Sequence, residues 1–515
     1  MVFSMNSILE RPIATEKAEE GSKIINIIAY FYITIPFVIF ILGWIGLRYS
    51  IPCTILIGIS MYQIIKNSPK IWKPEFNQDN IVKIVCIIIF VLIWVYFSGI
   101  GKYVFQNTDH GARNTIFNIL VQYDWPVINY ELYPENEAYG PTSLIYYIGF
   151  WMPAALVGKI FGINAGYGFQ VFWAVIGILL FYYFVCAKMK KITLWPLAVF
   201  VFFSGLDIVG HFLIGTNLFT LENDLHLEWW VGVYQYSSIT TQLFWVFNQA
   251  IPAWLCTIMV LSQKDNRSRV YIAACCMLHA TFPFIGLLAL ILFLAITRLY
   301  DILKISDGEK KIQVLYWFKE LFTFENVIGG GIIGILSFGY LIGNLSGTHI
   351  MQESTIGPNM NNNLFKYIVF ILLEVGVYFF ALYKYNKKNR LFYFMIICLL
   401  IIPPIKVGSS SDFCMRVSMP FLIILYLLVI EALKKAYEKK DKGVLIGLLI
   451  LLAIGSVTPV HEFTRTVKNT FISINNGEKP YIQSEDEQEH IISILNSENF
   501  SGTIQDNWFY KYIIK

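Results

Sequence analysis

Charge is scarce in this chain, yet residues 107–147 hold Asp109, His110, Arg113, Asp124, Glu131, Glu135 and Glu137 between two very apolar stretches. A carboxylate held at a membrane surface can take a proton from a hydroxyl or bind a metal ion. Asp109 comes soon after an apolar run, with Arg113 one helical turn further on. Asp124-Trp125-Pro126 marks the end of that helix. A Gly140-Pro141 break follows, then an aromatic stretch with Tyr146, Tyr147 and Trp151. A solvated loop would explain any one of these residues; the group asks for more.

Other candidates lie further along. Asp207 sits in FFSGLDIVGHFLIG, inside or at the end of an apolar span, with His211 a turn later. Intramembrane carboxylates are costly and usually face a cavity or a partner. Glu222, Asp224, His226 and Glu228 follow, a set able to hold a divalent cation or simply to form an acidic loop. His279 stands close to Pro283 at the break of an apolar hairpin, where a core hydrogen bond is the plainer role. Glu374 lies alone within an apolar span. Arg416 follows Asp412 by four positions in SSSDFCMRVSMP. Its guanidinium suits a phosphate through a two-pronged hydrogen bond, or closes a local ion pair.

The elements that must position these residues are membrane helices. The 515 residues are 56% hydrophobic and 14% charged, and the mean hydropathy is +0.57. Soluble domains carry about 25% charged residues. Apolar runs of roughly 20 residues, enough to cross a bilayer core, recur along the whole chain. The pattern predicts an all-α polytopic bundle, with spans near 24–46, 47–65, 81–100, 166–187, 193–215, 241–262, 270–298, 325–345, 364–383, 391–407, 417–433 and 443–460. The eight cysteines fall mostly in these runs and read as small buried apolar residues. Nothing resembles a nucleotide-binding loop, and no nucleic-acid partner is expected.

Lys/Arg clusters at 66–73, 188–191, 264–269, 298–319, 384–390 and 434–442 alternate with the segments 216–240 and 346–363, which contain neither residue. The positive-inside rule puts the clusters in the cytoplasm. For parity to close, 142–162 must be an interfacial helix in a large outer loop, 101–165, and 270–298 a hairpin entering from the cytoplasmic side. The result is about 13 membrane helices. Residues 1–23 form a cytoplasmic tail, 24–461 the membrane domain and 462–515 an extracytoplasmic tail packed on its outer face.

This layout resembles the GT-C glycosyltransferases, multi-span enzymes that use polyprenyl-phosphate-linked sugars, and among them the dolichyl-phosphate-mannose-protein mannosyltransferases. The likeness runs over roughly residues 81–420 and rests on degenerate motifs. A first outer loop carries an early Asp; Pro141, Leu144, Tyr146 and Tyr147 match the P-x-x-L-x-Y-Y helix after it; a second Asp follows further on. The resemblance implies Asp109 as base or metal ligand, Asp207 as the second acidic position and Arg416 as the contact to the lipid phosphate. The chain departs from the pattern in three ways: two spans precede the first family-like one, His110 follows Asp109 where Asp or Glu is common, and no large soluble domain follows the last span.

The expectation is therefore an inverting glycosyltransferase of a bacterial-type plasma membrane. It would move sugar from a polyprenyl-phosphate donor to a glycan, lipid or protein acceptor on the extracytoplasmic face. Asp109, Asp207 and Asp124 are the catalytic candidates, and Arg416 and Arg113 would hold the donor phosphate. His110, Trp125, Tyr146, Tyr147 and His279 would bind substrate. Asp109 and Asp207 are candidate ligands of a divalent cation, Mg or Mn. A transporter or flippase for lipid-linked or polar solutes is the rival reading, and a catalytically dead scaffold of the same fold a third.

Overall fold

The computed structural model describes residues 21–130, 141–214, 226–304, 307–344, 357–358, 364–407, 411–482, 493–495, 497, 499–504 and 507–515. Among them, eight helices are long and apolar enough to cross a membrane, which makes the chain an all-α integral membrane bundle. Helices α1 (Ile24–Trp44) and α2 (Leu47–Asn67) form a first antiparallel pair. They are followed by α3 (Gln78–Phe97), α4 (Asp109–Gln122), α5 (Met152–Phe161) and α6 (Ile163–Met189). Next come α7 (Trp195–Val201), α8 (Asp207–Ile214), the central α9 (Ile239–Ser262) and α10 (Arg269–Met277). Beyond α11 (Thr281–Leu303), α12 (Asp307–Leu321) and α13 (Gly330–Leu341), apolar helices cover 364–386, 390–401, 419–438 and 442–455.

Three regions differ from the sequence pattern. The expected 142–162 helix is helical only over Met152–Phe161; Thr142–Leu144 is a strand and Gly149–Trp151 a 3-10 turn. The expected 193–215 span is two short helices with an irregular stretch between them, at residues 202–206. In the 270–298 hairpin, the first arm is a nine-residue helix, but the second, α11, has 23 residues and is long enough to cross.

Helix ends carrying the basic clusters meet in pairs. Lys23 Nζ donates to the Lys66 carbonyl, Arg298 Nη1 to the Lys264 carbonyl, Arg390 pairs with Asp301, and Lys384 with Asp441. At the other end of α1 the chain terminus closes the fold. Strand Ser501–Thr503 pairs antiparallel with Thr142–Leu144, which pairs with Ile128–Asn129. Lys515 N then bonds the Trp44 carbonyl, and Gly46 N the Ile513 carbonyl. The 462–515 segment is thus stitched onto the 101–165 loop, and its boundary with the membrane domain falls inside one helix, Val457–Asn475.

Helix α9 is bent sharply. Val246 has φ −137° and ψ 39°, outside the helical region. Trp254 Nε1 reaches Gln242 Oε1 at 2.8 Å across 12 positions, whose Cα atoms a straight helix would hold about 18 Å apart. The arm before Val246 is therefore tilted off the axis of the arm after it, and the two long side chains close the angle between them. Pro252 lacks the N–H that would otherwise bond the Asn248 carbonyl, which loosens the helix just below the bend.

Candidate active site

Two helical first turns of the same design meet at this bend. Asp109 opens α4 and Arg113 lies one turn on, its Nη2 2.9 Å from Asp109 Oδ2. Asp412 opens the helix Asp412–Val417 and Arg416 lies one turn on, its Nη2 3.1 Å from Asp412 Oδ1. An Asp in a first turn favours the positive end of the helix dipole, and i,i+4 spacing puts the Arg beside it. The carboxylates are 43% and 45% exposed, while the arginine side chains are 5% and 11% exposed. Each site thus offers reachable anionic oxygens over a buried cation. Both Nε atoms are buried without a hydrogen-bond partner among the described residues.

The α9 bend joins the two turns. Asn107 Nδ2 and His110 Nε2 both donate to the Phe244 carbonyl, at 2.8 Å and 2.9 Å. Phe247 stacks on the His110 ring at 5.6 Å. On the opposite side, Val246 packs with Met415 and Met419, flanking Arg416. The wall between is Tyr146 and Tyr147, with rings 4.5 Å apart. Tyr147 shares a hydrogen bond with Arg416. The Tyr340 hydroxyl clamps this wall, donating to the Leu144 carbonyl at 2.9 Å and accepting from Tyr146 N at 3.2 Å.

Charges in this cluster act on one another. Burial alone would raise the Asp109 carboxyl, but Arg113, then Arg416 and His110, outweigh it and hold it below the usual carboxylate range. Burial works against the Arg416 charge, yet Asp412, Tyr146, Tyr147 and Asp109 together raise its pKa. The Tyr147 hydroxyl is pushed up to about 12 by burial and stays protonated. Asp109 and Arg416, from opposite halves of the chain, therefore share one site.

Of the residues expected from the sequence, Asp109, Arg113, Tyr146, Tyr147 and Arg416 come together here. Five others do not. His110 is turned inward: Nε2 donates to Phe244 and Nδ1 accepts from Gln106 Nε2 at 3.3 Å, while burial pushes the imidazole down to about 4. Asp124 is exposed. Trp125 is an anchor, its ring 5.3 Å from that of Trp44 and its Nε1 on the Leu120 carbonyl. His279 lies behind Gly149, whose added Cβ would stand 2.9 Å from His279 Nδ1. Glu131, Glu135, Glu137, Glu222 and Asp224 lie outside the described residues.

Asp207 belongs to a second, buried cluster. It accepts from Ser204 Oγ at 3.0 Å, Thr458 Oγ1 at 2.8 Å and Trp230 Nε1 at 3.1 Å. Glu374, on a π-helical turn, lies against Gly205 and beside Asp207. Glu228 accepts from Ser238 N at 2.8 Å and Gln235 Nε2 at 2.9 Å, and burial with the nearby Asp207 pushes it up to about 8. Gln235 Oε1 in turn accepts from Ser411 Oγ at 3.0 Å. This link steadies the start of the Arg416 helix, a positioning role that Gln235 gave no sign of in sequence. Asp109 and Asp207 are thus held by separate sets of partners. Among the described residues no group of three His, Cys, Asp or Glu is arranged to hold a metal. Asp109 and Asp412 each have a guanidinium partner.

Comparison with protein-family models, curated proteins and solved structures finds no match in any of the three.

Proposed function

We propose that the protein is a membrane glycosyltransferase of GT-C-like layout, using a polyprenyl-phosphate-linked sugar at the Asp109–Arg416 site. One observation carries this reading: two buried guanidiniums with unpartnered Nε atoms flank exposed carboxylates where a bent membrane helix joins two helix starts. Buried arginines of this kind suit a phosphate diester, since guanidinium donors match its oxygens and the low-dielectric surroundings strengthen the contact. Arg416 and Arg113 would hold the donor phosphate, which leaves as polyprenyl phosphate when the acceptor oxygen attacks the anomeric carbon. Asp109 would take the hydroxyl proton. In the free protein the arginines make Asp109 a weak base; a phosphate drawing on the same guanidiniums relieves that pull and raises its basicity as donor binds. The exposed apolar faces of the surrounding helices would seat the lipid tail, and about 13 spans would place the site on the extracytoplasmic face.

The rival reading, a transporter, has its own support. The interrupted α7–α8 pair and the buried Asp207–Glu374 contact are features of solute pathways. The test is sugar transfer by protein in nanodiscs with a panel of polyprenyl-phosphate sugars, comparing wild type with Asp109→Asn, with and without chelator. Loss of a general base should lower transfer by about 10²–10⁴-fold. Equal transfer by both proteins would remove Asp109 from the mechanism. Movement of solute across the bilayer without transfer would favour the transporter.

A further inference from the structure

The bend in α9 is followed by buried polar side chains without partners among the described residues. Asn248 and Gln249, two and three residues past Val246, are fully buried. All four of their amide N and O atoms lack a hydrogen-bond partner among the described residues. Buried amides are almost always satisfied, so two adjacent empty ones point to something that satisfies them. The 3-10 turn packed against Phe247, the residue before Asn248, repeats the pattern. Trp151 packs edge-on against Phe247 at 6.2 Å and lies beside Tyr146 at 6.3 Å, with Nε1 unpartnered. His279, beneath Gly149 on the same 3-10 turn, has Nδ1 unpartnered. The groups are neutral and mixed in sense: amide donors and acceptors, an indole donor, an imidazole nitrogen. Trp151 adjoins the Tyr146 wall, and the bend itself meets the Arg416 helix through Val246 and Met415.

We infer that Asn248, Gln249, Trp151 and His279 form a hydrogen-bonding subsite for the hydroxyl groups of a sugar, set beside the arginine pair. The inference rests on the proposed reading for how the sugar arrives, but not for what the subsite binds. A phosphate or carboxylate would call for cations, and an apolar ligand would leave the amides unsatisfied. Vicinal hydroxyls, each donor and acceptor, match the mixed set, and Trp151 supplies an aromatic edge next to it.

The experiment uses the full chain in nanodiscs and reads binding and thermal stability. The probes are undecaprenyl phosphate alone, the same lipid bearing hexose, pentose or N-acetylhexosamine, and the free sugars. The variant is Asn248→Leu with Gln249→Met, which keeps volume and removes the amides. Wild type should bind one sugar-bearing lipid at least about tenfold tighter than the bare lipid. The double variant should lose that preference and leave the bare-lipid affinity unchanged. Its melting temperature without ligand should be equal or higher, because unsatisfied buried amides no longer oppose folding; purely structural amides would give the opposite shift. A preference intact in the double variant overturns the subsite and leaves the glycosyltransferase reading standing. Variant-sensitive binding of free sugar without any lipid binding upholds the subsite and removes the lipid donor. No sugar bound in either form overturns both. Trp151→Phe, which removes only the indole N–H, carries the same test if the double variant fails to assemble.

Discussion

At the residue scale, the proposed chemistry turns on how Arg113 and Arg416 set the state of Asp109. The Asp109 pKa is depressed, so its carboxylate form is present above that pKa and lost as pH falls through it. Removing Arg113 takes away the strongest lowering influence and leaves burial, which raises the pKa. Arg113→Gln should therefore shift the acid limb of the pH–rate profile to higher pH, with the alkaline side little changed. An unmoved acid limb in that profile would show that Asp109 does not limit the rate. Arg416→Lys keeps the charge but loses the planar fork; donor KM should rise about tenfold while kcat changes less. The Asp109–Arg113 and Asp412–Arg416 spacings were legible in the sequence, because i,i+4 contact is local. The meeting of Asp109 with Arg416 was implied only by the family resemblance and not by any spacing, since the bent α9 joins the two distant helix starts. Asp207 lies apart from this meeting: three side-chain donors hold it in a cluster of its own, beside Glu374.

At the element scale, long uniform helices were visible as apolar runs, and interruptions were not. The apolar run continues unbroken through Gly205 and through Glu374, so hydropathy sees one span where the structure has a broken α7–α8 pair and a π-helical turn. Gly205 lies at the first break. A Cβ there would stand 1.7 Å from Glu374 Oε2, so only glycine lets the carboxylate lie against this backbone. Gly205→Ala should destabilise the protein by about 1–3 kcal/mol, in the range for overpacking a buried site. Because the clash is with one side chain, Glu374→Ala should absorb most of it. A double-mutant cycle on the urea midpoint in detergent checks this, and strictly additive effects would mean that the two positions do not meet. The outer-loop helix was misjudged for a related reason: Pro141, Tyr146 and Tyr147 look amphipathic, but Thr142–Leu144 finds a strand partner in Ser501–Thr503, far away in the chain.

At the scale of the whole molecule, the two ends of the bundle are chemically unlike, and sidedness follows from that contrast. One end gathers Lys23 with Lys66, Lys264 with Arg298, and the Asp301–Arg390 and Lys384–Asp441 pairs. The other end carries the Asp109 site and the three-stranded sheet closed by the chain terminus. Lysines and arginines resist translocation, so the first end should face the cytoplasm and the site should face outward. Cysteines placed at Lys73 and at Tyr130 in a background lacking the eight native ones report on this directly. Both positions are exposed, and they belong to the loops before α3 and after α4, one at each end. In intact cells a membrane-impermeant maleimide should label Tyr130→Cys and leave Lys73→Cys untouched until the membrane is opened. The reverse pattern would put the arginine pair in the cytoplasm, beside nucleotide sugars rather than translocated lipid-linked ones. The same site would then need a soluble donor, and the apolar flanks of the bundle would have no lipid tail to seat.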